Sequence, residues 1–246
     1  MKKYVSIAMM VLILPSTAIR SFGATVPDFE KYKVVTERKE AFFSYFLPLI
    51  EQENTEITII RTKLQEWRSR KKDIGSKDSL ELEKLATDYR VQNFSIDDNS
   101  SWQVLLKRVD VIPPSLVLAQ AANESAWGTS RFAKSGFNYF GQWCFKKGCG
   151  IVPGKRDAGK EHEVAAFSSP RKSVGSYIRN LNSHPAYQSL RSIRIQLRSE
   201  NKSITGIALA GGLGEYSARG SEYVEELRSI IRHNKLAKYD SNIGGL

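Results

Sequence analysis

Apolar residues recur at helical spacing along most of the chain, and strand-like alternation is confined to one short stretch. From Val34 to Arg70, Phe42, Phe43, Phe46, Leu47, Ile50, Ile57, Ile60, Leu64 and Trp67 keep one face apolar, which predicts an amphipathic helix. Pro48 predicts a kink or a split in it, and "EQENTE" offers a polar place for the break. A second helix is predicted over "SLELEKLATDYRVQ", with Ser79 as its N-cap. The polar "SIDDNSS" reads as a linker into a further helix through "WQVLLKRVD".

The second half opens with "PPSLVLAQAANESAW". Pro113-Pro114-Ser115 is helix-start punctuation and Gly128 a helix stop. Nearly every position between them is apolar or small, the pattern of a helix buried on most sides. The Gly- and aromatic-rich segment after it reads as loop, and "KEHEVAAFSS" alternates like a strand. A helix restarts after Ser169, with Val174, Tyr177, Ile178 and Leu181 on one stripe. The last begins near Ser221 and aligns Tyr223, Leu227, Ile230 and Ile231. The expected fold class is mainly α (α+β): a helical domain with a small β-lobe over 105–246, preceded by an N-terminal helical region over 24–104.

The first 23 residues stand apart from this pattern. "MKK" is a short positive start, and "YVSIAMMVLILPSTAI" is too short and interrupted for a comfortable membrane span. Ser21 and Gly23 fit the −3 and −1 positions of a cleavage site. An export signal over 1–23 is expected, the alternative being an uncleaved N-terminal anchor. Its removal takes three bases (Lys2, Lys3, Arg20) and no acid from a net charge of +11. A basic exported chain suits an anionic envelope polymer; nucleic acid is the least expected partner, and stable membrane insertion after signal cleavage is not expected.

Cys144 and Cys149 are the only cysteines, in "CFKKGC". In an oxidising compartment they read as a disulfide that fixes local shape. The three histidines, His162, His184 and His233, show no ligand spacing, so neither a metal nor a cofactor is expected.

Between Asp110 and Asp157 the single acidic residue is Glu124, whereas six bases lie from Ser125 through Arg156. Burial would raise its pKa and nearby bases would lower it. A carboxyl kept protonated near neutral pH is what a general acid in glycoside cleavage requires; lysozyme, whose Glu lies against a Trp, is the standing analogy. A solvent-facing Glu124 paired with Arg131 or Lys134 fits the spacing equally well.

"AQAANESAWGTSRF" followed by "NYFGQW" resembles the bacterial peptidoglycan endo-β-N-acetylglucosaminidase family of the flagellar-rod and autolysin type. Its A-x-E-S-x-W-G helix, N-L-F-G loop, aromatic-Ser-Ser turn and late tyrosine segment have counterparts in order. They are "AANESAWG", "NYFG", "EVAAFSSPRKSVGSYIRNL" and "EYSARGSEYV", within about 105–240. With the N-terminal helices and "WCFKKGCG", the chain looks most similar to the Bax-like subgroup of that family.

The resemblance implies a lysozyme-like domain that cleaves the β-1,4 bond after GlcNAc in cell-wall glycan strands, in the periplasm or cell envelope of a bacterium, with Glu124 as general acid. A second carboxylate is implied on the β-lobe, the candidates being Asp157, Glu161 and Glu163. Strand alternation sets Glu161 and Glu163 on one face and His162 and Val164 on the other, and Glu163 is the first choice. Tyr216 matches a tyrosine near the cleavage site, and Tyr223 is packing or cleft wall. Asn138 and Phe140 resemble cleft-lining residues, with Tyr139 replacing the usual apolar residue. Trp127 is either a wedge that holds Glu124 or a sugar-stacking platform, and Gln142 and Trp143 are candidate substrate contacts. Two other readings are a lytic transglycosylase or muramidase, whose usual "GLMQ"-like segment is missing, and a non-catalytic envelope-binding protein on a decayed fold. Retaining, inverting and substrate-assisted routes all stay open, as does a protein partner for the N-terminal helices.

Overall fold

The computed structural model describes residues 25–154, 159 and 161–241; the signal expected over 1–23 and the candidate Asp157 lie outside them. The helix expected from Val34 is a single element, α1 (Val35–Ser69), that runs unbroken through Pro48 and "EQENTE". Proline removes one backbone donor, but the buried Phe42, Phe46, Ile50, Ile57 and Leu64 hold both halves on the same core. Asn54, in the segment read as a break, points inward. Its Nδ2 donates to Ile112 O at 2.8 Å and its Oδ1 accepts from Ile112 N at 3.1 Å. A polar residue there anchors the helix instead of ending it.

Helix α2 (Ser76–Asp88) begins three residues before Ser79, after Gly75; the Ser79 amide donates to Gly75 O and so lies inside the first turn. Helix α3 (Asn99–Arg108) is capped by Asp98, which accepts from the amides of Ser100 and Ser101. The expected 104/105 boundary falls within α3, and α1 packs along α4 (Pro114–Glu124). One hydrophobic core therefore runs from Phe29 to Leu236. Helix α4 has its first turn capped from the far end of the chain, where Asp240 accepts from Ser115 N (3.0 Å) and Ser115 Oγ (2.6 Å).

Helix α4 stops at Glu124, short of the expected Gly128. Ala126 and Trp127 adopt positive φ (49° and 58°), and Gly128 follows at 79°. A Cβ on Gly128 would lie 2.4 Å from the Phe29 ring, so the turn requires glycine in both conformation and space. After the short α5 (Arg131–Gly136) comes the β-lobe: β1 (Trp143–Cys144), β2 (Gly150–Ile151) and β3 (Glu163–Ala165), an antiparallel sheet in the order β1-β3-β2. Cys144 and Cys149 form the expected disulfide in the β1–β2 turn. Helices α6 (Pro170–Ser183), α7 (Gln188–Ser199), α8 (Gly206–Ala210) and α9 (Ser221–His233) complete the mainly α architecture with its small β-lobe.

The α3–α4 junction is held by charge. Asp110, 2% exposed, accepts from Arg198 Nε (2.8 Å) and Nη2 (2.7 Å). Arg194 Nε and Arg61 Nη1 stand 3.5 and 3.7 Å away. Burial alone would raise the Asp110 pKa, but the three guanidinium groups outweigh it and the carboxyl is held below its ordinary value. The stability this lends is present above the ordinary carboxylate range and is lost as pH falls through the lower folded value. Asp110→Asn strands buried guanidinium charge and should cost about 3–5 kcal/mol, read by urea denaturation at neutral pH; an unchanged midpoint would show that the arginines are solvated without it.

Candidate active site

The end of α4 brings Glu124 to the floor of a cleft of about 750 Å³ between the helices and the β-lobe. Glu124 is half-buried, and Tyr223 on α9 donates its hydroxyl to Oε1 at 2.7 Å. Behind it the donors run in one direction: Tyr177 OH donates to Gln120 Oε1, and Gln120 Nε2 donates to Tyr223 OH at 2.9 Å. Oε2 lies beside Gly141, whose φ is 63°; a Cβ there would sit 3.6 Å from that oxygen. Burial raises the Glu124 pKa; hydrogen bonds from Tyr223 and Asn123 oppose the rise, Glu226 adds to it, and Arg219 lowers it. The carbonyl end of the α4 dipole disfavours the anion as well.

Tyr216 lines the cleft, stacks parallel on Tyr223 at 5.5 Å and donates its hydroxyl to Phe140 O at 2.7 Å. It thereby ties the late tyrosine segment to the "NYFG" loop. Phe140 forms cleft wall with its ring stacked 3.9 Å from Tyr177. Asn138 is buried and acts within the loop: Oδ1 accepts from Phe140 N and Gln142 N, and Nδ2 donates to Gln142 O and Ala165 O. Tyr139 is buried edge-on against Phe46 of α1. Tyr223, expected as packing or cleft wall, is buried behind Glu124 and absent from the cleft lining.

Gln142 and Trp143 both line the cleft. Gln142 Nε2 donates to Ser176 Oγ at 3.0 Å, while its buried Oε1 has no hydrogen-bond partner among the described residues. Trp143 is 60% exposed, with His162 stacked 4.2 Å from its ring. Trp127, by contrast, packs edge-on against Phe42 and Phe43 of α1 at 5.8 and 5.4 Å, with Lys39 over its ring. The left-handed turn after Glu124 sends it to the α1 side, so it wedges the turn and does not line the cleft.

Glu163, the first choice for the second carboxylate, lies on β3 of the β-lobe. It is 5% exposed, and its carboxylate accepts from Gly148 N (2.9 Å) and Gly150 N (2.7 Å) in the disulfide-closed turn. The alternation along β3 is as read, but the face that meets the cleft is that of Val164. Glu161 is exposed. Among the described residues the carboxylates that line the cleft are Glu124 and Asp88, the latter on α2. Gln120, Gly141 and Asp88 were not singled out in the sequence. Gln120 and Gly141 carry no pattern of their own, and Asp88 lies in the N-terminal helical region, outside the motifs that carry the resemblance.

An acid whose folded-state pKa is raised binds more protons folded than unfolded, so it costs stability as pH rises from the ordinary Glu range. Glu124→Gln removes that ionisation and should melt above the parent at pH 7, with the gap closing below the ordinary value of 4.5. Thermal melts at both pH values check this. A variant less stable at pH 7 by the same margin as at acid pH would contradict the desolvation account.

A family model described as mannosyl-glycoprotein endo-β-N-acetylglucosaminidase matches residues 99–236. Protein bax of Escherichia coli K12 is 37% identical over 216 residues, covering 87% of this chain and 76% of that protein. Among solved structures, the catalytic domain of the autolysin Auto from Listeria monocytogenes superposes with a TM-score of 0.46 at 18% identity, over 88% of this chain and 90% of that one. Glu124, Tyr216 and the "NYFG" loop all lie inside the matched span, and the chain belongs to the glucosaminidase family.

Proposed function

We propose that this chain is a peptidoglycan hydrolase, an endo-β-N-acetylglucosaminidase that cleaves the β-1,4 bond after GlcNAc, with Glu124 as general acid. The observation that carries this reading is a half-buried carboxyl of raised pKa with one oxygen fixed and the other beside a glycine at the cleft floor. Because Oε1 accepts from Tyr223, the acidic proton belongs on Oε2. From there it passes to the glycosidic oxygen as the bond to the anomeric carbon breaks. The carboxylate left behind is stabilised as the Tyr223 hydrogen bond becomes charge-assisted, with Gln120 and Tyr177 backing it. The exposed Trp143 face suits sugar stacking, and the unpartnered Gln142 Oε1 can accept from a sugar hydroxyl or amide.

Glu163 enters as a positioning residue: by holding the 148–150 turn it sets β1 and Trp143 at the rim. On the opposite face, against the Tyr216 wall, the substrate's own acetamido oxygen bonds to the anomeric carbon as the glycosidic oxygen leaves with the Glu124 proton; water then attacks that carbon, opens the oxazolinium and returns a proton to Glu124. The family membership, the net charge of +11 and the disulfide favour glycan strands of the bacterial envelope as substrate and an exported, periplasmic or envelope location. Among the described residues no helix is long and apolar enough to cross a membrane.

Glu124→Gln should lower glycan release by roughly 10²–10⁴-fold while the protein stays folded. Mass spectrometry of the digest should find GlcNAc at new reducing ends; anhydro-muramic ends would indicate a transglycosylase instead, and parent-level release by the variant would remove Glu124 from the mechanism. Glu163→Gln should lower activity less, and N-deacetylated strands should resist cleavage. Efficient cleavage of the deacetylated strands would point to an external carboxylate such as Asp157 or Glu161.

A further inference from the structure

The cleft continues past Glu124. Arg90 and Ser183 line both it and an adjoining depression of about 690 Å³. One wall of that extension comes from the N-terminal region, through the turn that follows α2.

That turn is firmly built. Arg90 and Asn93 take left-handed backbone conformations (φ 58° and 52°). The Tyr89 side chain is buried. Arg108 Nη1 donates to Tyr89 O at 2.9 Å and Arg90 O at 2.6 Å, and Val91 N returns to Ala86 O at 2.8 Å. The strained backbone is fixed from behind while the Arg90 side chain stands exposed in the cleft. A left-handed conformation at a non-glycine residue costs free energy, and here it holds a guanidinium at the junction of the two depressions.

The surrounding charge is unbalanced. Asp88 pairs with Lys84 (3.8 Å) and Arg179 (4.0 Å), and Asp98 is occupied by the amides and hydroxyls that start α3. Arg90 has no carboxylate within ion-pair distance among the described residues. Its neighbours register the excess of positive charge: burial lowers the His184 and Arg108 pKa values, and Arg90 lowers both further. The cleft thus grades from an aromatic and amide end at Trp143 and Gln142 to a cationic end at Arg90 and Arg179.

We propose that Arg90 and Arg179 form a carboxylate-reading subsite, through which the N-terminal region selects glycan strands bearing acidic substituents over neutral ones. The inference rests on the glycan-strand reading above. A planar guanidinium matches a carboxylate in fork geometry. On such a strand the carboxylate is either that of the muramic lactyl group or one on the attached peptide.

Isothermal titration of the Glu124→Gln chain separates these cases without catalysis. The probes are peptide-bearing glycan strands, the same strands stripped by an amidase to leave the lactyl carboxylate, and N-acetylglucosamine oligomers with no carboxylate. The expected result is a preference of roughly fivefold for carboxylate-bearing strands, the scale of an exposed charge pair, which shrinks in about 0.5 M salt. Arg90→Gln should collapse that ratio towards one, and Arg90→Lys, which keeps the charge and loses the fork, should retain only part of it, a graded loss that a purely structural role for the side chain would not give. Preference for the stripped strands alone assigns the lactyl carboxylate, preference for the peptide-bearing strands alone assigns a peptide carboxylate, and preference for both shows that the subsite reads either carboxylate. Full preference retained by folded Arg90→Gln and Arg179→Gln variants overturns the subsite while the glycan reading stands. Failure of the Glu124→Gln chain to bind any probe overturns both.

Discussion

A carboxylate taken out of water must be compensated or it must take up a proton, and the placement of α4 depends on the first of these outcomes at Asp110. Arg61 comes from α1 and Arg194 and Arg198 from α7, so two distant helices converge on one residue at the α3–α4 junction. Arg194 also donates to the carbonyls of Lys107, Asp110 and Val111, which fixes the backbone just before Pro114 starts the helix. With Asp240 capping the first turn and α1 along one side, α4 has little freedom. Its last residue is thereby delivered to the cleft floor.

Glu124 meets the second outcome. It is partly desolvated without an arginine at hydrogen-bond distance, so its pKa moves up where that of Asp110 moves down. Glu163 is a third case, a buried carboxylate held by two backbone amides in a turn that the disulfide closes. Three acids of similar chemistry thus sit in three different environments: one locks the fold, one keeps a raised pKa at the cleft floor, and one shapes the β-lobe. The difference lies in what each environment donates.

The N-terminal region belongs to the same economy of contacts. Phe42 and Phe43 receive Trp127 and so brace the turn that follows Glu124, while Tyr139 packs on Phe46 just before Phe140 lines the cleft. At its far end the region contributes Asp88 and Arg90 to the cleft itself. Helices with no catalytic constellation of their own are therefore structural neighbours of the site on two sides.

The helices were legible because burial imposes a 3.6-residue period on apolar positions, and Glu124 stood out as the lone acid of an apolar helix among ordered motifs. The disulfide followed from two cysteines in a short loop. Pro48 and "EQENTE" misled because a helix pinned on both halves by tertiary packing tolerates a local breaker, and because Asn54 spends its polarity on Ile112. Alternation along β3 separated Glu163 from Val164 correctly, yet it could not say which face looks into the cleft; the pairing with β1 and β2 decides that. Nor could spacing reveal that Trp127 leaves the helix axis, since the left-handed turn through Ala126 and Trp127 sets Gly128 against Phe29, a contact from far along the chain. By itself the sequence determined which segments are helical, which acid stands alone and which cysteines pair, because those are fixed by local period and composition. Only the tertiary structure decided which buried acid is paired with arginines, which is left desolvated with a raised pKa, and which arginine of a distant turn reaches the cleft, because those depend on charges and donors brought together across the chain.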